Sequence, residues 1–285
     1  MKHNRVFRFV WIPALIAITF VGCSRSPGSA EQTQISVTNT YLKSSVRDLA
    51  GHSQEIFCLA PPGVCPGHFD MSPAQIQHLL HSKTLFRFDF QAGLDQSLTR
   101  VDLPVVSIEI QPGMGIPETY LDTCRQIIPH LARQFPEKQD RYIENLQELE
   151  KRLTGLENDI RRQIRQTGLS DAKVIASCHQ AHFARWLGLD VVAELKGVDS
   201  MTPAEIEQCL DAGREHQVSI VIANLQEGTQ LPGRIADQLN ARLVVFSNFP
   251  PEPDPKSSAG GFEQMLMSNI QNLVTDSRQP GPWTL

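Results

Sequence analysis

The stretch FPEKQDRYIENLQELEKRLTGLENDIRRQIRQTG, Phe135–Gly168, decides how the rest of the chain is organised. Its apolar side chains fall at Tyr142, Leu146, Leu149, Leu153, Leu156, Ile160 and Ile164. Spacings of three and four put them on one face of a helix whose flanks are charged. The alternative, a helical hairpin broken at Gly155, has no cluster of turn residues to support it. At 1.5 Å per residue, about thirty residues reach roughly 45 Å, farther than one small lobe is wide. The spacing predicts a stiff rod joining two bodies.

On either side of the rod the pattern is α/β. Upstream, ISVTN (35–39), EIFCLA (55–60), TLFRFDF (84–90) and VVSIEI (105–110) read as strands. Between them lie helical segments: TYLKSSVRDLAG, stopping on Gly51, and SPAQIQHLLHS, with Ser72 as N-cap and Pro73 at the first helical position. Downstream, KVIAS (173–177), VVAEL (191–195), SIVIAN (219–224) and RLVVFS (242–247) repeat the grammar. There MTPAEIEQCLDAGREH offers Thr202 as N-cap, Pro203 in the first turn and Glu205 to complete a capping box. Strands separated by helices argue for parallel sheets. The expected fold is α/β: two similar lobes with parallel sheets, residues 35–135 and 169–285, joined by one long linking α-helix over 136–168.

The amino terminus has a different character. Lys2, Arg5 and Arg8 precede an apolar run from Val10 to Val21, shorter than the ~20 residues of a membrane span. Phe20-Val21-Gly22-Cys23 follows, and then the polar SRSPGSAEQTQ. A small residue before a cysteine at the end of a short apolar core resembles the lipobox of bacterial lipoproteins. Residues 1–22 are then a signal peptide, Cys23 is the lipidation site and residues 23–34 are a polar tether. That implies an exported chain, lipid-anchored to a bacterial membrane and facing the periplasm or cell exterior. Export puts Cys58, Cys65, Cys124, Cys178 and Cys209 where disulfides persist. Five is odd, so at least one is free, metal-bound or paired between molecules. Cys58 and Cys65 stand where they could staple the base of a loop.

That loop is PPGVCPGHFDMSP, Pro61–Pro73, stiff with proline and glycine yet carrying His68 near its tip. A histidine so held suits a metal ligand that must meet other donors in a fixed array. The net charge of −5 is spread among interspersed acids and bases, which gives no nucleic-acid surface. No phosphate-binding glycine motif follows any strand, which argues against nucleotide binding, and no organic cofactor is expected. Cys178-His179 invites a thiol-nucleophile reading, but sequence neighbours seldom orient as nucleophile and base, and no third orienting residue is marked. Nothing calls for an enzyme.

Four segments in order resemble the solute-binding receptors of bacterial zinc and manganese ABC importers, a metal-binding family with a rigid interlobe helix. The Pro61–Pro73 loop resembles the first ligand loop, Pro-His-x-aromatic-acid before Thr/Ser-Pro. FRFDFQAGLDQSL resembles the segment ending in Gly-Leu-acid, and GIPETYLD resembles Asp-Pro-His-x-Trp-Leu-Asp. SCHQAHFARWLGL resembles the His-x-Ala segment whose helix ends in Tyr-Gly-Leu, here two residues shorter. The resemblance implies capture of a divalent transition metal, Zn²⁺ or Mn²⁺, and delivery to an ABC permease. It implies His68, Glu118 and His179 as ligands, with Gly67 in the usual first slot and Glu118 in the second histidine's place. The family's fourth ligand is an acid at the end of a late strand, where this chain has the uncharged Asn224, or Ser247 and Asn248. Cys178 or His182 could add a donor, though His182, one helical turn beyond His179, equally fits a partly buried polar contact. Two rival readings remain: a structural or interaction lipoprotein that kept the fold and lost high-affinity metal binding, and a stand-alone metal buffer.

Overall fold

The computed structural model describes residues 35–60, 71–99, 101–197, 200–252 and 260–275. The proposed signal peptide, Cys23, the tether, Cys65 and His68 lie outside the described residues. The first sheet contains β1 (Ile35–Val37), β2 (Ile56–Cys58), β3 (Thr84–Phe88) and β4 (Val105–Ile108). The second contains β5 (Lys173–Ser177), β6 (Asp190–Leu195), β7 (Ile220–Asn224) and β8 (Arg242–Phe246). Every pairing is parallel, and the strand orders are β2-β1-β3-β4 and β6-β5-β7-β8. Each sheet therefore reverses direction of growth once, at β1/β3 and at β5/β7, which opens a crevice at the carboxyl ends of the central strands.

Helices cover these strands: α1 (Thr40–Ala50), α2 (Pro73–Leu79) and α3 (Pro117–Gln134) in the first lobe, α5 (Cys178–Trp186), α6 (Pro203–Glu215), α7 (Gln230–Leu239) and α8 (Gly261–Val274) after the rod. The local signals act as their chemistry requires. Ser72 and Gln75 form a reciprocal capping box on α2, and Thr202 and Glu205 form one on α6. The rod is α4, Gln139–Gln166, one unbroken helix of 28 residues and about 42 Å. It starts after a short 3₁₀ turn at Pro136–Lys138. Gly155 lies inside it with open space around its Cα, and no hinge forms there.

Tyr142, Leu149, Leu153, Ile160 and Ile164 of α4 are buried, and Leu146 and Leu156 pack against the same core. That core runs through both lobes, from Ile35, Tyr41 and Phe86 to Phe183, Phe246 and Phe262. Each fully buried side chain of this kind contributes roughly 1.5–3 kcal/mol, so α4 is held along its length. The last helix adds a second tie: α8 lies against α1 and α4, Tyr120 stacks on Phe262 at 4.0 Å, and Arg152 pairs with Glu263 at 3.0 Å. No helix among the described residues is long and apolar enough to cross a membrane.

Cys58 is a free thiol that donates to the Ala60 carbonyl at 3.2 Å. Desolvation pushes its pKa up to about 12, which keeps it a protonated thiol.

Candidate metal centre

The second sheet brings three donor side chains to its reversal point. β5 runs directly into α5, so Cys178 and His179 occupy the first turn of that helix at the mouth of the crevice. β7 ends at Asn224 and continues as a 3₁₀ turn, Leu225–Glu227. The turn is closed by Gly228 at φ 89, a left-handed conformation that glycine adopts without cost. It lifts Glu227 beside His179. One donor atom from each of Cys178, His179 and Glu227 lies within 4.8 Å of the others.

The Glu227 carboxylate is aimed by its neighbours. Its Oε2 accepts from the Ser177 hydroxyl at 2.5 Å and from Asn224 Nδ2 at 3.3 Å. Its Oε1 faces His179 Nε2 at 3.3 Å. Behind it, Gln180 Nε2 donates to Asn224 Oδ1 at 3.2 Å and to Asn248 Oδ1 at 2.9 Å. Asn248 Nδ2 reaches the His179 carbonyl at 3.5 Å. This buried amide network holds the turn and the helix start in register, the task that outer-shell hydrogen bonds perform around a metal. Bond lengths of about 2.0–2.3 Å in a tetrahedral zinc site put neighbouring donors about 3.3–3.7 Å apart. The imidazole and carboxylate already stand at that spacing. His179 is 60% exposed, so its ring is reachable from the cleft. Burial, and after it the negative charge of Glu227, raises the Cys178 thiol above its ordinary value.

The cleft over this group is about 420 Å³. The second lobe supplies its polar wall, Cys178, His179, His182, Gln226, Glu227 and Asn248. The first lobe supplies a mostly apolar wall from Phe90 and the turn after β4, Ile110–Met114. That turn approaches closely because it is glycine-rich. A Cβ on Gly115 would lie 2.8 Å from the Phe183 ring, and Gly113 sits at φ 89 against His182.

The structure places the sequence-predicted residues unevenly. His179 and Cys178 are in the cluster, and His182 lines the cleft one turn along. Asn224 has both ends of its amide occupied, by Gln180 and Glu227. The Ser247 hydroxyl is committed to Gln226 and to the Phe249 backbone. Glu118 is not brought to the group. It is a first-turn residue of α3, 70% exposed, paired with Arg125 at 2.6 Å. Glu227 escaped the sequence reading, which looked for an acid directly at a strand end. The legible signal was an acid three residues past SIVIAN with a glycine behind it.

Two α/β lobes bridged by one rigid helix, with donor side chains at the cleft between them, define the metal-binding class of solute-binding receptors. The fold aligns with a zinc-bound deletion mutant of ZnuA at 17% identity and TM-score 0.69, covering 85% of this chain and 96% of that one. It aligns also with a Mn-bound periplasmic metal binding protein from Candidatus Liberibacter asiaticus, at 12% identity and TM-score 0.70 over 84% and 97%. A third match is the SBP FpvC from P. aeruginosa in complex with Ni²⁺, at 17% identity and TM-score 0.69 over 88% and 99%. No curated protein matches by sequence. The family model for the periplasmic zinc-uptake complex component A, ZnuA, matches residues 116–276, more than half of the chain, and the chain belongs to that family.

Proposed function

We propose that this chain is an exported receptor that captures a divalent transition metal, zinc first among them, in the interlobe cleft and delivers it to an ABC permease. His179 and Glu227 are the anchoring donors, and His68 completes the set from the first lobe's loop. His182 lines the same cleft one turn along α5. Cys23 carries the lipid that keeps the receptor at the membrane. The observation supporting this reading is the 3.3 Å pairing of His179 Nε2 with the oriented Glu227 Oε1 at the reversal point of the second sheet. Glu227 here takes the part of the acid missing after β8, where Ser247 and Asn248 are uncharged. Isothermal titration of metal-free protein with zinc tests it: His179→Ala or Glu227→Gln should each weaken binding by at least about a hundredfold, roughly 2.7 kcal/mol.

A second reading has its own support. Glu118, in the place of the family's second histidine, is turned into an ion pair with Arg125. A receptor that had abandoned this ligand position could survive as an interaction lipoprotein without metal. Wild-type protein that took up no divalent metal at micromolar concentration would favour that reading.

A further inference from the structure

We infer that Cys178 is itself a metal ligand, and that its thiolate makes the site select a borderline-soft cation of the Zn²⁺ type over Mn²⁺. The inference rests on the receptor reading above and deepens it by naming the class of cargo.

Three facts of placement carry it. Cys178 precedes His179 in the same first helical turn, and its sulfur lies within 4.8 Å of both the imidazole nitrogen and the carboxylate oxygen. It lines the cleft and is a free thiol, bound in no disulfide. The other oxygens at the carboxyl ends of β7 and β8 are engaged: Asn224 and Asn248 accept from Gln180, and Ser247 is bonded to Gln226 and Phe249. The amide network therefore leaves Cys178, His179 and one oxygen of Glu227 facing the open space. On binding, the Cys178 thiol releases its proton to solvent and sulfur bonds to the metal, with no change of oxidation state. Thiolate and carboxylate together then neutralise the dication, which one carboxylate and imidazoles alone would leave at a net charge of +1. Sulfur donors favour zinc, whereas manganese favours sites built of oxygen donors and water. One thiolate among nitrogen and oxygen donors thus shifts preference against Mn²⁺.

Titration of the metal-free full-length protein with Co²⁺, read by absorption, tests the inference, with Zn²⁺ and Mn²⁺ affinities measured in parallel. Sulfur-to-cobalt charge transfer in the near ultraviolet should grow to one equivalent. Cys178→Ser should abolish that band and weaken zinc binding by about tenfold or more, with the Mn²⁺ affinity nearly unchanged. Cys178→Asp restores the charge without the sulfur and should move the Zn²⁺/Mn²⁺ ratio toward manganese. Wild-type protein that binds zinc through His179 but shows no charge-transfer band, with Cys178→Ser unaltered, would overturn the thiolate assignment and leave the receptor reading standing. Failure of the wild type to bind any of the three metals would overturn both.

Discussion

The two sheets share one strand order, yet the carboxyl ends of their central strands carry opposite chemistry. At β1/β3 the crevice is plugged by uncharged groups that satisfy one another. Thr38 Oγ1 donates to Gln91 Oε1 at 2.6 Å, the Phe88 N–H donates to the same oxygen at 2.9 Å, and Asn39 Nδ2 donates to Thr38 at 3.1 Å. All three side chains are buried. At β5/β7 the corresponding place holds a thiol, an imidazole and a carboxylate facing a cleft. Topology makes a crevice twice; only the residues after the strand ends decide whether it becomes structure or a site. Within the described residues, the first lobe contributes mainly an apolar wall, and the second contributes the donors.

The sharpest way to break this contrast is to remove donors from one end and amides from the other. His179→Ala and Glu227→Gln should carry the largest effect, the hundredfold loss of zinc affinity argued above, with little change in the melting temperature of metal-free protein because both groups face the cleft. Isothermal titration and calorimetric melting measure the two quantities on the same samples.

The next effect concerns charge. A partly buried carboxylate of the first lobe lies not at the strand ends but on α1, where Asp48 accepts from the Tyr120 hydroxyl at 2.6 Å near the start of α8. Burial raises its pKa from 3.8 to about 6; the hydrogen bond from Tyr120 opposes that rise, Glu263 adds to it, and Arg152 and Arg47 oppose it. Between those values the folded state holds a proton that the unfolded state has lost. Asp48 therefore contributes most stability below pH 4, and the contribution falls as pH rises to 6, by about 2 kcal/mol. Asp48→Asn should remove this fall while keeping an acceptor for Tyr120. The difference in urea unfolding free energy between wild type and variant across pH 4 to 7 checks it; parallel curves would count against a proton-holding Asp48.

The smallest effect belongs to the first lobe's plug. Gln91→Ala leaves the Phe88 N–H and the Thr38 hydroxyl without their buried acceptor and should cost about 1.5 kcal/mol of unfolding free energy. Zinc affinity should stay within about threefold of wild type, roughly 0.7 kcal/mol. A larger change in affinity would mean that the two strand ends act together, and that their division of labour is not real.

How much of this was legible differs between the two halves of the problem. The eight strands, the capped starts of α2 and α6 and the continuity of α4 are local matters. Short apolar runs, a Ser or Thr cap with Pro behind it, and a 3.6-residue stripe from Tyr142 to Ile164 are all written along the chain. The candidate site is not local. His179 was readable because it opens a helix directly after a strand, but its partner Glu227 lies 48 residues away and joins it only through parallel pairing of β5 with β7. Asn224 resembled a substitute ligand because it stands at a strand end; in the fold its amide oxygen accepts from Gln180. Glu118 sat in the right motif, yet on the first turn of α3 its short side chain meets Arg125, two helical turns along, before it meets the cleft.

The central claim is that metal binds at the end of β5 and β7, anchored on donors of the second lobe. Anomalous diffraction at the zinc edge, from crystals of the wild-type protein grown with one equivalent of zinc, tests it most directly. The account predicts one anomalous peak in the cleft, within about 2.0–2.3 Å of His179 Nε2, a Glu227 oxygen and the Cys178 sulfur. An empty cleft, or a peak held by other residues with His179 and Glu227 still facing each other unligated, would contradict it.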